Sequence, residues 1–218
     1  MHATAHHTPQ TDLTHYGGEY YDNRRMYSLA LQAGFVARLA PRTVLEIGPG
    51  RGVTAAIVRT LTGARVITLD VDPTLRPGVI GSIFALPLAD RSVDVSACFQ
   101  MLEHLPFDCF TPALAELRRV TAGAAVVSLP DCSLALTLRI GRLNPRRDGI
   151  VVCRTLQPAG WALRRFKTVP NAAGHYWEIG RKGTPLTVVR RAITAAGWRI
   201  ESETRPAENA YHRFFVLR

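Results

Sequence analysis

The sequence predicts an α/β fold in which helices cover both faces of a mostly parallel sheet. Short apolar runs alternate with helical patterns through residues 24–130 of the 218-residue chain, an alternation typical of βαβ units. A glycine-rich turn follows the first apolar run, at the edge where open α/β sheets bind ligands. The length fits one domain, which we place at residues 15–218 after a disordered tail at residues 1–14.

The predicted elements follow from the hydrophobic pattern. The first helix covers residues 24–39, where Met26, Ala33 and Val36 share a face before Pro41 stops the pattern. The next elements are strand 43–47, helix 51–62, strand 65–70, a short strand near 79–81, strand 93–98, helix 110–120 and strand 124–129. The segment before the short strand holds two prolines and is short for a crossover, so we expect a turn there instead of a helix.

The C-terminal part is predicted to hold an insertion and the end of the sheet. Residues 130–183 have weak periodicity and several Pro and Gly residues, and they follow the strand edge that binds ligands, so we interpret them as a substrate lid. Thr184 is expected to cap a helix that has Pro185 at its first position and Gly197 after its end. Strands at about 198–203 and 212–217 would then finish the sheet.

The glycine turn constrains function most tightly. Residues 44–52 read VLEIGPGRG, with glycine at alternate positions, whereas a dinucleotide site has the pattern G-x-G-x-x-G. Val53 stands where that pattern requires its third glycine. The carboxylate of Glu46 would repel a pyrophosphate but can pair with a cationic amine. S-adenosylmethionine carries an amine and a sulfonium and has no phosphate.

Two segments resemble a known family. Residues 46–52 resemble the first motif, E/D-x-G-x-G-x-G, of the class I S-adenosylmethionine-dependent methyltransferases. Residues 81–106, GSIFALPLADRSVDVSACFQMLEHLP, resemble the corresponding stretch of the type 11 enzymes typified by the ubiquinone pathway. The resemblance spans about residues 43–130. It implies S-adenosyl-L-methionine as cofactor and a Rossmann-like, seven-stranded, three-layer sheet fold with an antiparallel C-terminal hairpin.

The resemblance also implies a set of cofactor contacts. An acidic residue after the second strand binds ribose hydroxyls; Asp70 is favoured for this, with Asp72 as its competitor. Ser82 stands where the family usually has aspartate. A tyrosine hinged at Gly17 and Gly18 could close over the cofactor. The predicted cofactor-binding residues are Tyr21, Glu46, Gly48, Gly50, Asp70, Ser82, Ile83, Phe99 and Gln100.

Methyl transfer to a hydroxyl also requires a general base, usually histidine or a carboxylate. The predicted catalytic residues are His104, His175 and Glu178, with Glu103 as a further candidate. His104 could equally be structural. Some ubiquinone-pathway enzymes bind a metal through E-x-x-E-H at this place, but Gln100 replaces the first glutamate, so we predict no metal site.

The net charge of +10 suggests an anionic partner. Nearly all of it comes from arginine, and a basic stretch runs from Arg139 to Lys167, which could face an acidic substrate, an anionic membrane surface or water. We expect a small-molecule acceptor, acidic or aromatic, that is methylated on oxygen. An RNA or protein methyltransferase is the alternative, although CFQM stands where an Asn-Pro-Pro-Tyr motif would follow the fourth strand. A non-catalytic cofactor-binding protein is the third hypothesis.

Cellular location is inferred from what the sequence lacks. No apolar run approaches the length of a membrane span, and the first residues have no apolar centre typical of a signal peptide. The four cysteines show no C-x-x-C spacing, which favours reduced thiols. We therefore expect a cytoplasmic protein, monomeric or homodimeric.

Overall fold

A computed structural model describes residues 17–140, 150–156 and 174–218 of the chain. The predicted disordered tail, residues 141–149 and 157–173 of the predicted lid, and most of the basic stretch lie outside the described residues. Among the described residues, no helix is long and apolar enough to cross a membrane.

The described chain forms four α-helices and nine strands. The helices are α1 (Asn23–Ala37), α2 (Val53–Thr62), α3 (Phe110–Val120) and α4 (Leu186–Ala195). The strands are β1 (Thr43–Ile47), β2 (Arg65–Asp70), β3 (Val79–Ile80), β4 (Val93–Phe99), β5 (Thr121–Pro130), β6 (Leu134–Ile140), β7 (Ile150–Leu156), β8 (Ile200–Thr204) and β9 (His212–Leu217). Each predicted element up to β5 is present, and the two C-terminal strands are also confirmed.

Seven strands form one sheet in the order β3-β2-β1-β4-β5-β9-β8. The first five are parallel, while β9 runs antiparallel to both β5 and β8. This arrangement confirms the predicted fold class. Since all five parallel strands point the same way, the residues after β1 and β4 meet at one edge of the sheet.

Helices cover both faces of this sheet. On one face, Val36 of α1 and Val58 of α2 pack with buried residues of β1 and β4. On the other face, Leu114 of α3 and Ile193 of α4 pack with Trp198 and the apolar residues of β5 and β9. Burial of two apolar layers accounts for the three-layer architecture.

The connection from β2 to β3 has no crossover helix, as predicted. Asp72 begins a short 3-10 turn, Pro73–Leu75, and its carboxylate accepts a hydrogen bond from the Thr74 N–H at 2.8 Å. The Gly81 N–H then donates to the Asp70 carbonyl at 2.9 Å. These local bonds satisfy the backbone of a segment that is too short for a helix.

One expectation for the C-terminal part was wrong, and one feature there was not predicted. Strands β6 and β7 form a separate antiparallel ribbon within the predicted lid, residues 130–183. Thr184 does not cap α4: its hydroxyl donates to the Glu178 carbonyl at 2.8 Å, and Pro185 occupies the N-cap position.

The ribbon leaves and rejoins the domain at one point. The Cys132 N–H donates to the Ile179 carbonyl at 3.0 Å, and the Ile179 N–H donates to the Pro130 carbonyl at 2.9 Å. Gly180 packs so closely against Ser133 that an added Cβ would lie 2.4 Å from the serine hydroxyl. The segment from 134 to 173 is therefore bracketed by two ends that are bonded to each other.

Candidate active site

A cavity opens at the sheet edge where β1 and β4 end. Its walls come from the turn after β1, the residues after β4, and the N-terminal segment with α1. It is lined by Tyr20, Tyr21, Arg25, Leu29, Gln32, Glu46, Gly48, Pro49, Gly50, Arg51, Val53, Thr54, Phe99 and Gln100. Six of the nine residues predicted to bind the cofactor are in this set.

The glycine turn brings its backbone to the cavity. Gly48 has φ +66°, a left-handed conformation that favours glycine. A Cβ on Gly48 would also lie 2.7 Å from the Cγ atom of Met101. Both the backbone conformation and the contact with Met101 therefore exclude a larger residue here.

Glu46 is a buried carboxylate that lacks a full set of partners. Its side chain is in the wall of the cavity, and one of its two carboxylate oxygens has no hydrogen-bond partner. The other interacts with the backbone N–H of Ala55 in the first turn of α2. Burial raises the pKa of Glu46 to about 8, although the positive charge of Arg59 and the Ala55 hydrogen bond oppose the shift. A cationic ligand group would satisfy this carboxylate.

The residues after β4 are held in a strained conformation. Gln100 has φ +51°, which is uncommon for a residue with a side chain. Its N–H donates to the Ser128 carbonyl at 3.0 Å, and its Nε2 donates to the Ser128 hydroxyl at 3.2 Å. The neighbouring strand thus holds Gln100 and Phe99 at the cavity, and such strain is typical of functional sites.

The N-terminal segment forms another wall. Tyr20 and Tyr21 lie on a 3-10 helix, Gly18–Tyr21, with their rings nearly perpendicular and their centroids 5.2 Å apart. Arg25 follows in α1, and its guanidinium lies 4.3 Å from the centre of the Tyr20 ring. Arg25 was not among the site residues predicted from the sequence, since no motif marks it.

The remaining three predicted cofactor residues do not line this cavity. Asp70 is half-buried at the end of β2, and its carboxylate accepts a hydrogen bond from the Asp72 N–H at 3.0 Å. Asp72 is buried and caps the following turn, so Asp70 is the better placed of the two for a ligand. Ser82 accepts a bond from Phe84, and Ile83 packs in the core.

A cluster of titratable side chains lies beyond Gln100. His175 Nδ1 is 3.0 Å from Glu178 Oε1, and the Tyr211 hydroxyl donates to the same oxygen at 2.8 Å. Burial would raise the pKa of Glu178, but the hydrogen bonds from His175 and Tyr211 and the charge of Arg181 lower it to about 2. Glu178 is therefore ionised at neutral pH and orients the imidazole of His175.

Glu103 and His104 face the other side of the same imidazole. The His104 ring packs perpendicular to that of His175, with centroids 4.9 Å apart, and its Nδ1 is 3.2 Å from the Gly174 carbonyl. Glu103 is fully buried, neither of its oxygens has a hydrogen-bond partner, and Oε1 is 4.0 Å from His175 Nε2. Burial raises the pKa of Glu103 to about 7 against the charge of His175. The three predicted catalytic residues thus lie together.

Glu103, His104 and His175 also offer ligand atoms within 4.8 Å of one another, a spacing that can hold a metal ion. The motif that suggested a metal site in related enzymes included position 100, and Gln100 is engaged with Ser128 instead. The metal-free site stays a prediction.

Trp177, the second of the two aromatic residues after His175, is structural. Trp177 is buried, its Nε1 donates to the Leu105 carbonyl at 3.0 Å, and its ring packs against Phe107 and Phe110. This contact anchors the loop that carries His175 and Glu178. Tyr211 was missed in the sequence because only the folded chain brings it to Glu178.

The fold and the site together define a class of protein. The sheet is that of Rossmann-like ligand-binding domains. The cavity combines a glycine turn, in which a Cβ on Gly48 would clash with Met101, with the buried carboxylate of Glu46, one oxygen of which lacks a hydrogen-bond partner. Those features suit a nucleoside ligand with a cationic amino group, as in S-adenosylmethionine.

Comparisons with known proteins identify the family. Residues 45–127 match the model of the methyltransferase domain family. A probable S-adenosylmethionine-dependent methyltransferase from Mycolicibacterium smegmatis is 31% identical over 182 residues, which cover 74% of this chain and 68% of the relative. The chain belongs to the class I S-adenosylmethionine-dependent methyltransferases, and S-adenosylmethionine is its cofactor.

Solved structures agree on the fold. The Burkholderia thailandensis 1,6-didemethyltoxoflavin-N1-methyltransferase, with 1,6-didemethyltoxoflavin and S-adenosylhomocysteine bound, has a TM-score of 0.60 at 17% identity, covering 94% of this chain and 86% of that one. An S-adenosylmethionine-dependent methyltransferase from Aquifex aeolicus has a TM-score of 0.59 at 15% identity, covering 95% and 98%.

Proposed function

We propose that this methyltransferase acts on a small-molecule acceptor and transfers the methyl group to oxygen. The observation that carries this proposal is the hydrogen-bonded group of His175, Glu178 and Tyr211. His175 faces Glu103 at 4.0 Å, and Glu103 is three residues beyond Gln100 of the cavity wall. Methylation of a hydroxyl releases a proton, and an imidazole oriented by an ionised carboxylate is suited to accept it.

The cofactor brings an activated methyl group on its sulfonium, so the protein chiefly has to position the reactants. In this proposal Gly48 and Gly50 allow the backbone to approach the cofactor, and Glu46 accepts a hydrogen bond from its ammonium. Asp70 binds the ribose hydroxyls, and Ser82 and Ile83 border the adenine. Tyr21, Phe99 and Gln100 surround the methionine end.

His175 is the general base of this proposal. Because Glu178 occupies Nδ1 at 3.0 Å, Nε2 is the atom that takes the acceptor proton. The carboxylate stabilises the imidazolium that forms, and His104 holds the ring from its edge. After the product departs, His175 releases this proton to solvent.

Kinetics of variants test this assignment. His175→Ala and Glu178→Gln should lower kcat by about 100-fold or more, because general-base catalysis contributes on that scale. The Kd for S-adenosylhomocysteine should stay within a factor of two. Glu208→Gln, which changes an exposed glutamate, is the matched control. Unchanged kcat in both variants would remove His175 from the mechanism.

A second variant tests the ribose contact. Asp70→Ala should weaken binding of S-adenosylhomocysteine by at least tenfold in calorimetry, since two hydroxyls lose a charged acceptor. Asp108→Ala, at an exposed aspartate, should leave the affinity unchanged.

The acceptor class has a direct test. The structural neighbour from Burkholderia thailandensis is a 1,6-didemethyltoxoflavin-N1-methyltransferase, and nitrogen is the alternative acceptor atom for this chain. Host extract is incubated with methyl-labelled cofactor and then separated into small molecules, lipid, RNA and protein. Label in the small-molecule fraction supports the proposal, and label in RNA or protein contradicts it. Binding of the cofactor with no labelled fraction would indicate a non-catalytic protein.

We also propose that the protein is cytoplasmic and that it is a monomer or a homodimer. Cell fractionation tests the location, and light scattering tests the oligomeric state.

A further inference from the structure

The methionine end of S-adenosylmethionine carries two opposite charges, an ammonium and a carboxylate. Glu46 suits the ammonium, because one of its buried oxygens has no partner. A carboxylate in the same cavity needs a cation, since a charge removed from water without a partner is costly. A positively charged side chain in the cavity wall can pair with this carboxylate.

Arg25 is the cation best placed for it. Arg25 and Arg51 are the two positively charged residues in the wall of this cavity. Arg51 is exposed, whereas Arg25 is half-buried. Within the described ranges, the guanidinium of Arg25 forms no ion pair or hydrogen bond, although Glu46 lines the same cavity.

The position of Arg25 is set by local structure. Asp22 caps α1 by accepting a hydrogen bond from the Arg25 N–H at 2.7 Å, which fixes the backbone at the start of the helix. The Tyr20 ring lies 4.3 Å from the guanidinium carbon and supports it through a cation–π contact. A guanidinium held in this way keeps its hydrogen-bond donors for a ligand.

Arg25 is close to two parts of the site, the cavity that contains Glu46 and the cluster that contains His175. Burial raises the pKa of Glu103 and the positive charge of Arg25 opposes that rise. Burial lowers the pKa of His212 and the same charge adds to that lowering, so Arg25 acts on the cluster that contains His175. Arg25 also lines the cavity that contains Glu46.

We propose that Arg25 binds the α-carboxylate of S-adenosylmethionine. Glu46 and Arg25 then recognise the two charges of the amino-acid end together, with the carboxylate in the bidentate geometry that arginine favours. This assignment rests on the cofactor and does not depend on the identity of the acceptor. It makes the N-terminal segment, through Arg25 and Tyr20, a part of the cofactor site.

Two ligands and three proteins test the assignment. Calorimetry compares S-adenosylhomocysteine with its decarboxylated analogue, which keeps the amine and lacks the carboxylate. Wild-type protein, Arg25→Gln and the matched control Arg24→Gln are titrated with both; Arg24 is exposed and outside the cavity wall. Arg25→Gln should weaken S-adenosylhomocysteine binding by about 10- to 100-fold, the loss expected for a charged hydrogen-bonded pair. The analogue should change by less than threefold.

The ratio between the two ligands decides the outcome. Wild-type protein and Arg24→Gln should both prefer S-adenosylhomocysteine by about tenfold or more, and Arg25→Gln should lose most of that preference. Arg25→Lys, which keeps the charge and loses the bidentate geometry, should retain part of it. An equal loss for both ligands, or an unchanged ratio in Arg25→Gln, would overturn the proposal. Wild-type binding of S-adenosylhomocysteine, in contrast, tests the cofactor itself.

Discussion

Cofactor binding should expel a proton from Glu46. In the free protein burial raises the pKa of this carboxyl to about 8, so at pH 7 it is about nine-tenths protonated. An ammonium next to the carboxyl favours the ionised form and lowers the pKa again. Binding at pH 7 should therefore release about 0.9 proton per cofactor.

The same linkage predicts the pH dependence of affinity. A carboxyl with a raised pKa resists ionisation, so the cost of ionising it falls as the pH rises towards 8. With a free-state pKa of about 8, the affinity for S-adenosylhomocysteine should increase by about 25-fold between pH 6.5 and pH 8.5. The groups that act on Glu46 are Arg59 and the Ala55 N–H. The buried Cys98 thiol lies near Glu46 on β4, but burial raises the pKa of this thiol well above its ordinary value, so it does not titrate between pH 6.5 and pH 8.5.

Calorimetry in buffers of different ionisation enthalpy measures the released proton directly. Glu46→Gln is the control, because the amide has a similar shape and cannot titrate. Any proton exchanged by the ligand's own amine appears in both proteins, and the difference isolates Glu46. A difference near zero at pH 7, or the same pH slope in Glu46→Gln, would refute the reasoning. Because the pKa of Glu46 is raised, we also expect the free protein to lose stability as the pH rises from about 4.5 to about 8, and Glu46→Gln should remove that loss.

Two further predictions concern stability. Gly48→Ala should abolish cofactor binding and lower the free energy of unfolding by about 1–3 kcal/mol, because a positive φ and a contact at 2.7 Å with Met101 both oppose a side chain. Gly52→Ala also has a positive φ but meets no atom within 4 Å, so it should cost about 1 kcal/mol; equal losses in urea denaturation would contradict the role of Met101. Asp131→Asn should cost about 3–5 kcal/mol, because the buried carboxylate is 2.6 Å from the Arg213 guanidinium, and a loss below about 1 kcal/mol in the same assay would show that the pair is not coupled to folding.

The sheet was predictable because its central strands β1, β4 and β5 are buried on both faces. Residues 43–47 and 65–70 are short apolar runs bounded by turn residues, and both were predicted with the observed limits. The ribbon of β6 and β7 was missed, although Leu134 and Leu136 alternate with smaller residues as in a strand. Several nearby Pro and Gly residues concealed that pattern.

The face of α1 shows what a hydrophobic pattern cannot reveal. Met26 was expected on the buried face, but it is 46% exposed, and Gln32 is buried in its place. The Gln32 carbonyl accepts a hydrogen bond from the Thr54 hydroxyl at 2.8 Å, which makes its burial tolerable. Such a partner, 22 positions away, is not visible in the amphipathic pattern.

The candidate site also contains residues that the sequence predicts and residues that it does not. His175 and Glu178 were predicted because, with Tyr176 and Trp177, they form a polar and aromatic cluster within four consecutive positions. Tyr211 and Arg25 come from opposite ends of the chain and carry no motif. Only the packing of β9 and α1 at the sheet edge brings them to the cavity and the cluster.

The joined ends of the ribbon segment have an evolutionary consequence. Pro130 and Cys132 bond to Ile179, so the chain departs from and returns to the same place just before and after residues 134–173. An excursion that starts and finishes at neighbouring positions can change in length or composition without shifting its supports. Substitutions, insertions or deletions between residues 134 and 173 are therefore expected to leave the loop that carries His175 and Glu178 in its place.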